Sequence, residues 1–149
     1  MLYSSSCEYA IRALSYLERQ AERPLIPLAE IAETQDIPAP FLGKILQSLV
    51  KAGLLRSVRG PTGGYALAQP PTEIKLLRIR EILDGIVDLE RCAVGLDPCA
   101  DETPCPLHEV FKPLREAIKL YLSDTSLHDV VQGLADKEAL IAAGGTPSA

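Results

Sequence analysis

Cys92, Cys99 and Cys105 fall within fourteen residues, spaced C-x6-C-x5-C, and His108 follows as C-x2-H. Thiolates are soft ligands, and three on one short loop can hold iron while leaving one coordination position for another residue. The paired C-x2-C of a zinc ribbon is absent, and so is the C-x2-C of a dithiol oxidoreductase. Gly95, Pro98, Pro104 and Pro106 punctuate the loop and favour turns about a common centre. His108 suits a fourth ligand; a solvated histidine or a hydrogen-bond donor at a helix terminus is the plainer reading. The fourth cysteine, Cys7, and His128 have no partner motif and are read as structural.

A second chemistry lies in the charges. Residues 41–80 hold Lys44, Lys51, Arg56, Arg59, Lys75, Arg78 and Arg80 against Glu73 alone, a net charge of +6. The whole chain of 149 residues carries −5, so the remainder carries −11. A basic block of this kind is the footprint of a nucleic-acid surface. Other chemistries lack their motifs. No nucleophile elbow or catalytic carboxylate pair is present, and the Gly-rich segment at 60–64 lacks the Lys-Ser/Thr of a phosphate loop. No apolar run approaches the ~20 residues needed to span a bilayer. Glu8, Arg12, Glu18 and Arg19 interrupt the first twenty residues, unlike a secretory leader. A cytoplasmic, reducing setting is expected, with no enzyme activity, membrane or small-molecule substrate.

The elements that must position these groups follow from periodicity. Ser5 to Glu8 reads as a capping box, and Ala10, Ala13, Leu14 and Leu17 predict an amphipathic helix to about Gln20. Leu28, Ile31 and Ala32 mark a short helix, and Asp36-Ile37-Pro38 a turn. Leu42, Ile45, Leu46, Leu49 and Val50 mark a longer helix, closed by Gly53. Two short helices about a tight turn outline a helix-turn-helix. Strands at 54–58 and 65–67 flank Arg59-Gly60-Pro61-Thr62-Gly63-Gly64, a hairpin whose glycines permit positive φ and close approach to phosphate. Together these predict a winged helix.

Ile79, Ile82, Leu83 and Ile86 mark a further helix ending near Gly85. Leu107, Phe111, Leu114, Ile118 and Tyr121 are spaced 4, 3, 4, 3, the seam of a helix that pairs with a partner. Pro113 predicts either a kink there or a helix beginning near it. The expected fold is mainly α with a small β-hairpin wing: a winged helix-turn-helix domain plus a long dimerisation helix. Its divisions are the DNA-binding domain at 1–78, a linker helix and cysteine loop at 79–104, the dimerisation helix and flank at 105–131, and a partly disordered tail at 132–149.

Several of these segments resemble one family. They are Leu28-Ala29-Glu30-Ile31-Ala32, Phe41-Leu42 through Lys51-Ala52-Gly53-Leu54-Leu55, and Arg59-Gly60-Pro61-Thr62-Gly63-Gly64-Tyr65. With the opening Ser-x-x-Glu-Tyr-Ala and the closing Thr125 to Val130, they are similar to the Rrf2 family of winged-helix regulators, in its IscR and NsrR branch. The resemblance covers nearly all of 1–131. It implies a homodimeric bacterial transcription factor that binds double-stranded DNA at a palindromic operator. It also implies an iron–sulfur cluster on Cys92, Cys99 and Cys105 whose state changes DNA affinity. The fourth ligand differs within the family. His108 would go with [2Fe–2S], and Glu8 donated by the partner subunit would suit [4Fe–4S]; the resemblance does not choose. A thiol redox sensor or a structural zinc site is the alternative use of the cysteines.

The DNA-facing residues expected on this reading are Ala39, Pro40, Lys44 and Gln47 on the reading helix. Arg56, Arg59, Gly60, Thr62, Gly63, Gly64 and Tyr65 join them on the wing. Gly43 departs from the family, which often has a long polar residue there. Base readout then falls to Ala39, Pro40, Lys44 and Gln47, with Lys44 and the wing mostly on phosphates.

Overall fold

A computed structural model describes residues 2–85 and 91–144. Ile86, expected in the helix ending near Gly85, and the expected tail beyond 144 lie outside the described residues.

Helix α1 (Ser5–Arg19) buries Cys7, Ala10, Ala13, Leu14 and Leu17 along one face. Its cap is Ser4 rather than Ser5: the Ser4 side chain accepts from Cys7 N. The reason is tertiary. Asp84 accepts from the Ser4 backbone N–H at 3.0 Å and from the Ser4 hydroxyl. It thus takes the part a capping-box glutamate would play, and Glu8 moves one position deeper into the helix.

Helix α2 (Leu28–Gln35) ends at Asp36, which adopts the left-handed region at φ 50°. Helix α3 (Ala39–Lys51) follows, with Leu42, Ile45, Leu46 and Leu49 buried and Pro40 in its first turn, where no intrahelical N–H is needed. Gly53, at φ 79°, closes it. Strands β1 (Leu55–Val58) and β2 (Gly64–Leu67) pair antiparallel, Leu55 opposite Leu67 and Val58 opposite Gly64. Ile26 adds a bridge to Tyr65 on the outer side of β2, with N–O distances of 2.9 and 2.8 Å. The hairpin is thereby fastened to the α1–α2 connection.

Helix α4 (Leu76–Leu83) ends before Gly85, at φ 78°. Helix α5 spans His108–Asp124 and α6 spans Leu127–Ala142. The α5–α6 junction is stitched to the approach of α4. Leu76 N donates to Thr125 O at 3.0 Å and Leu127 N to Ile74 O at 2.8 Å. A single core unites α1 to α4 with the hairpin, and Leu122 and Leu127 insert into it from α5 and α6. The fold is a winged helix: six helices and a two-stranded hairpin among the described residues.

Of the two alternatives at Pro113, a helix beginning there is excluded: α5 starts five residues earlier, inside the expected 105–131 segment, and carries the proline within it. The carbonyl of Glu109 loses one intrahelical partner, a cost a helix of 17 residues carries. The segment after 131 is mostly helical, not tail-like. Ser126 and Asp129 form a full capping box at its start, and Arg19 reaches Glu138 with two bonds of 2.8 Å. Among the described residues no helix is long and apolar enough to cross a membrane.

Candidate functional site

The cysteine loop is built from successive turns. Gly95, at φ 72°, lets its N–H return to Cys92 O at 3.1 Å, and Asp97 Oδ1 accepts from Cys92 N at 3.0 Å. Thr103 N returns to Ala100 O at 3.0 Å, and His108 N to Cys105 O at 3.0 Å as α5 begins. Each turn reverses the chain, and together they aim Cys92, Cys99 and Cys105 at one point. Their three Sγ atoms lie within 4.8 Å of one another. Cys92 is buried and the other two are half-buried. Among the described residues this is the group with the makings of a metal site.

His108 is 4% exposed and touches the group at one corner, its Nδ1 3.1 Å from Cys99 Sγ. Its Nε2 lies 2.8 Å from Asp101 Oδ1. The Cys105 backbone amide and the His108 ring pull the Cys99 thiol down to about 7. Cys105 shifts the other way. The Leu107 N–H pulls it down, but burial together with Cys92 and Cys99 outweighs that. His108 is raised by Cys99 and then by Asp101. Cys7 is the contrast. It is fully buried in α1, burial pushes it up to about 12, and it packs as an inert apolar group. Glu8 stands exposed on α1, outside the three-thiol group of its own chain.

The second candidate surface is the outward side of α3 with the wing. Pro40, Gly43, Lys44, Gln47, Ser48 and Lys51 line a shallow depression of about 480 Å³ that Tyr65 closes. Pro40, Lys44 and Gln47 are exposed, and Ala39 is half-buried. Arg59, Gly60 and Thr62 are exposed on the wing. Arg56 is turned toward the α1–α2 connection, donating to Pro24 O at 3.1 Å. Gly64 and Tyr65 are buried, and the Tyr65 hydroxyl lies 3.3 Å from Gln47 Nε2. Tyr65 thereby links α3 to the wing.

The wing glycines divide by role. Gly60 has φ 110° and open space around it, as a hairpin tip requires. Gly63 and Gly64 are needed for close approach within the fold. A Cβ on Gly63 would lie 2.1 Å from Val58 O, and one on Gly64 2.4 Å from Ile26 O. The positive φ expected of the hairpin glycines is found at Gly60, whereas Gly63 and Gly64 answer to the chain's own backbone. Ser48 and Lys51 join Lys44 and Gln47 on the α3 face; Lys51 belongs to the expected basic block, whereas Ser48 has no charge to mark it. Asp101 and Lys112, beside His108, have no motif of their own, although Lys112 sits four residues beyond His108, a spacing that puts both on one helix face.

A helix-turn-helix with a basic wing, joined to helices beyond it, defines the class of winged-helix DNA-binding regulators. Residues 3–133 match the family described as "Rrf2: Iron-dependent Transcriptional regulator", and the chain belongs to the Rrf2 family. It is 34% identical over 148 residues to the HTH-type transcriptional regulator IscR of Aliivibrio salmonicida, covering 96% of this chain and 88% of that protein. It is 33% identical over 144 residues to IscR of Photorhabdus laumondii, covering 97% and 85%. Among solved structures it is similar to CymR, the global cysteine regulator of B. subtilis (TM-score 0.74, 28% identity, 87% of this chain and 95% of that one). T. potens IscR is also similar (TM-score 0.69, 29% identity, 88% and 86%). The relatives are transcriptional regulators and not enzymes, which favours a non-enzymatic role for this chain.

Proposed function

We propose that this regulator is a homodimer whose affinity for a palindromic operator is set by an iron–sulfur cluster on Cys92, Cys99 and Cys105. The observation that carries the reading is the convergence of the three thiols, with a buried imidazole at one of them. This donor set fits a thiolate-bound cluster. His108 is the fourth ligand favoured by its place beside Cys99, which suits [2Fe–2S]. Glu8 from a partner subunit is the rival and would suit [4Fe–4S]. When bound, the cluster supplies a redox- and ligand-sensitive group whose gain, oxidation or loss changes what holds the loop together.

The chain's own residues link that loop to DNA. Ligation by His108 would fix the start of α5. The far end of α5 is bonded to the approach of α4, and α4 packs on α1 and α3. A change at the loop thus has a packed route to the reading helix, provided the two states differ in DNA affinity. In the 1–78 domain, α3 enters the major groove, ~12 Å wide. Lys44, Gln47, Pro40 and Ala39 face it. Arg56, Arg59, Gly60, Thr62, Gly63, Gly64 and Tyr65 form or brace the wing beside phosphate.

Dimerisation is supported by α5. The expected seam of Leu107, Phe111, Leu114, Ile118 and Tyr121 divides between two faces, each joined by further residues. Phe111, Ile118 and Leu122 turn inward, while Leu107, Val110, Leu114, Ala117 and Tyr121 stand exposed at steps of 3, 4, 3 and 4. Val110 is 79% exposed and Leu114 54%. A second copy of α5 is the occupant that a heptad stripe fits. Replacing Leu114 by Glu should convert dimer to monomer by light scattering; an unchanged mass would remove this support.

Anaerobic purification tests the cluster. Iron and acid-labile sulfide should be found on wild type and lost from Cys→Ser variants; a colourless protein after reconstitution would defeat the proposal. One observation favours a second reading. Two thiolates on a single tetrahedral ion at ~2.3 Å stand about 3.8 Å apart. The compactness of the trio therefore also suits one zinc ion. Zinc at one per chain with no visible absorbance would select it.

A further inference from the structure

His108 offers its two ring nitrogens to different neighbours. Nδ1 faces the thiols through Cys99 Sγ, and Nε2 faces Asp101 Oδ1 at 2.8 Å. A neutral imidazole carries one proton, so a ring that ligates through one nitrogen must present N–H at the other. Here that N–H can point only along the Nε2–Asp101 line. Asp101 is itself held. Both its oxygens lie 2.6 Å from Lys112 Nζ, and Lys112 is four residues beyond His108 on α5. An exposed aspartate–lysine pair alone is worth little. This one also closes on a ring that is almost fully buried, and it spans the cysteine loop and the helix that begins at His108.

We propose that Asp101 is a positioning residue for the cluster site: it fixes the His108 ring with Nδ1 toward the cluster and Nε2–H toward its own carboxylate, and Lys112 anchors it to α5. The inference rests on the reading of His108 as a ligand. A carboxylate behind a ligating histidine orients the ring and makes it a stronger donor, and its removal typically costs 10–100-fold in metal retention. Lys112 further implies that the ligand's orientation and the first turn of α5 are set together.

The test uses full-length protein reconstituted anaerobically with iron and sulfide, as wild type, Asp101→Ala, Asp101→Asn, Lys112→Met and His108→Ala. The readouts are the iron-loss half-life under chelator, the reduction potential, and the nitrogen hyperfine coupling of the reduced protein by pulsed electron paramagnetic resonance. Wild type should show a coupled histidine nitrogen that His108→Ala abolishes. Asp101→Ala should lose iron roughly tenfold faster or more, with a shifted potential and an altered nitrogen coupling. Asp101→Asn keeps an oxygen acceptor and should restore part of the effect, with Lys112→Met showing a smaller change. Thermal unfolding of the metal-free variants separates these effects from loss of fold. If the His108 coupling is present and Asp101→Ala changes neither potential, coupling nor half-life, the inference is overturned alone. If wild type binds a cluster but His108→Ala leaves the spectrum untouched, His108 is no ligand and both readings fall.

Discussion

Replacing Gly64 by Ala separates a wing built for packing from a wing built for phosphate. The added Cβ would stand 2.4 Å from Ile26 O, 2.6 Å from Ile26 C and 3.0 Å from Pro27 N, all backbone atoms. Ordinary contact begins near 3.4 Å, so the two segments must separate by about 1 Å. The bridge between them consists of Ile26 N to Tyr65 O at 2.9 Å and Tyr65 N to Ile26 O at 2.8 Å. An extra ångström takes both beyond hydrogen-bonding range. Two such bonds contribute about 1 kcal/mol each, and buried partners left unpaired cost about as much again. The smaller entropy of the unfolded Ala chain returns about 0.4–1 kcal/mol. A net loss of roughly 3–3.5 kcal/mol follows, or about 7–14 °C in Tm for a chain of this size. Urea unfolding gives the free energy, and DNA binding well below Tm shows whether affinity falls with it. A variant within about 0.5 kcal/mol of wild type that nonetheless loses DNA affinity would refute the packing account and return Gly64 to the phosphate.

Gly43→Ala should act oppositely, because its Cβ would meet only Leu28 Cδ2, at an ordinary 3.5 Å, inside a regular helix. A gain of about 0.5–1 kcal/mol in urea unfolding is expected, and a loss would show that this position needs glycine. Arg59→Ala should weaken DNA binding similarly across sequences and lower the slope of log K against log salt by about 0.9, one phosphate's worth; an unchanged slope places Arg59 off the DNA. Glu30 is held down to about 2, first by Arg23 and then by the Tyr16 hydroxyl. Its folded value lies below its unfolded one, so its contribution is full above about pH 4.3 and disappears as pH falls toward 2. The stability difference between wild type and Glu30→Gln should therefore shrink across that window, and a difference constant with pH would contradict the assignment.

Much of the fold is legible because local period and global packing agree. The apolar spacing of α1 and α3 is the burial pattern observed, and the hairpin falls between the strands its glycines separate. What escaped was decided by residues far apart in the chain. Three consecutive serines offer equivalent caps, and Asp84, eighty residues away, selects Ser4. Pro113 leaves the start of α5 open between two alternatives, since a proline's local cost says nothing of what holds the helix on either side. Within the site, the cysteine spacing carried the convergence of the thiols. Asp101, the partner of His108, is one of seven acids between Glu81 and Pro104 and has no local mark. Gly63 and Gly64 show a subtler limit. A glycine announces that a side chain is excluded, but only the structure tells whether a ligand or the chain's own backbone excludes it.

The charge asymmetry bears on how the proposed regulator would release DNA. A net charge of −5 keeps non-specific phosphate attraction low, while Lys44, Lys51 and Arg59 concentrate what attraction there is on α3 and the wing; Arg80 of the +6 stretch is buried. Such a molecule depends on geometry more than a uniformly basic one, because it has few surplus cations to hold it in a misaligned pose. In the proposed dimer, the distance between two reading helices is set by how α5 meets its partner, and half-sites repeat at about 34 Å per helical turn. The first turn of α5 holds His108, and Lys112 follows in the next. The exposed stripe begins at Leu107 and continues through Val110 and Leu114. Ligand orientation and dimer contact therefore share the same two turns of helix. A small rotation there would be delivered to both reading helices at once, and with so little non-specific attraction to compensate, a modest misfit suffices to release the operator.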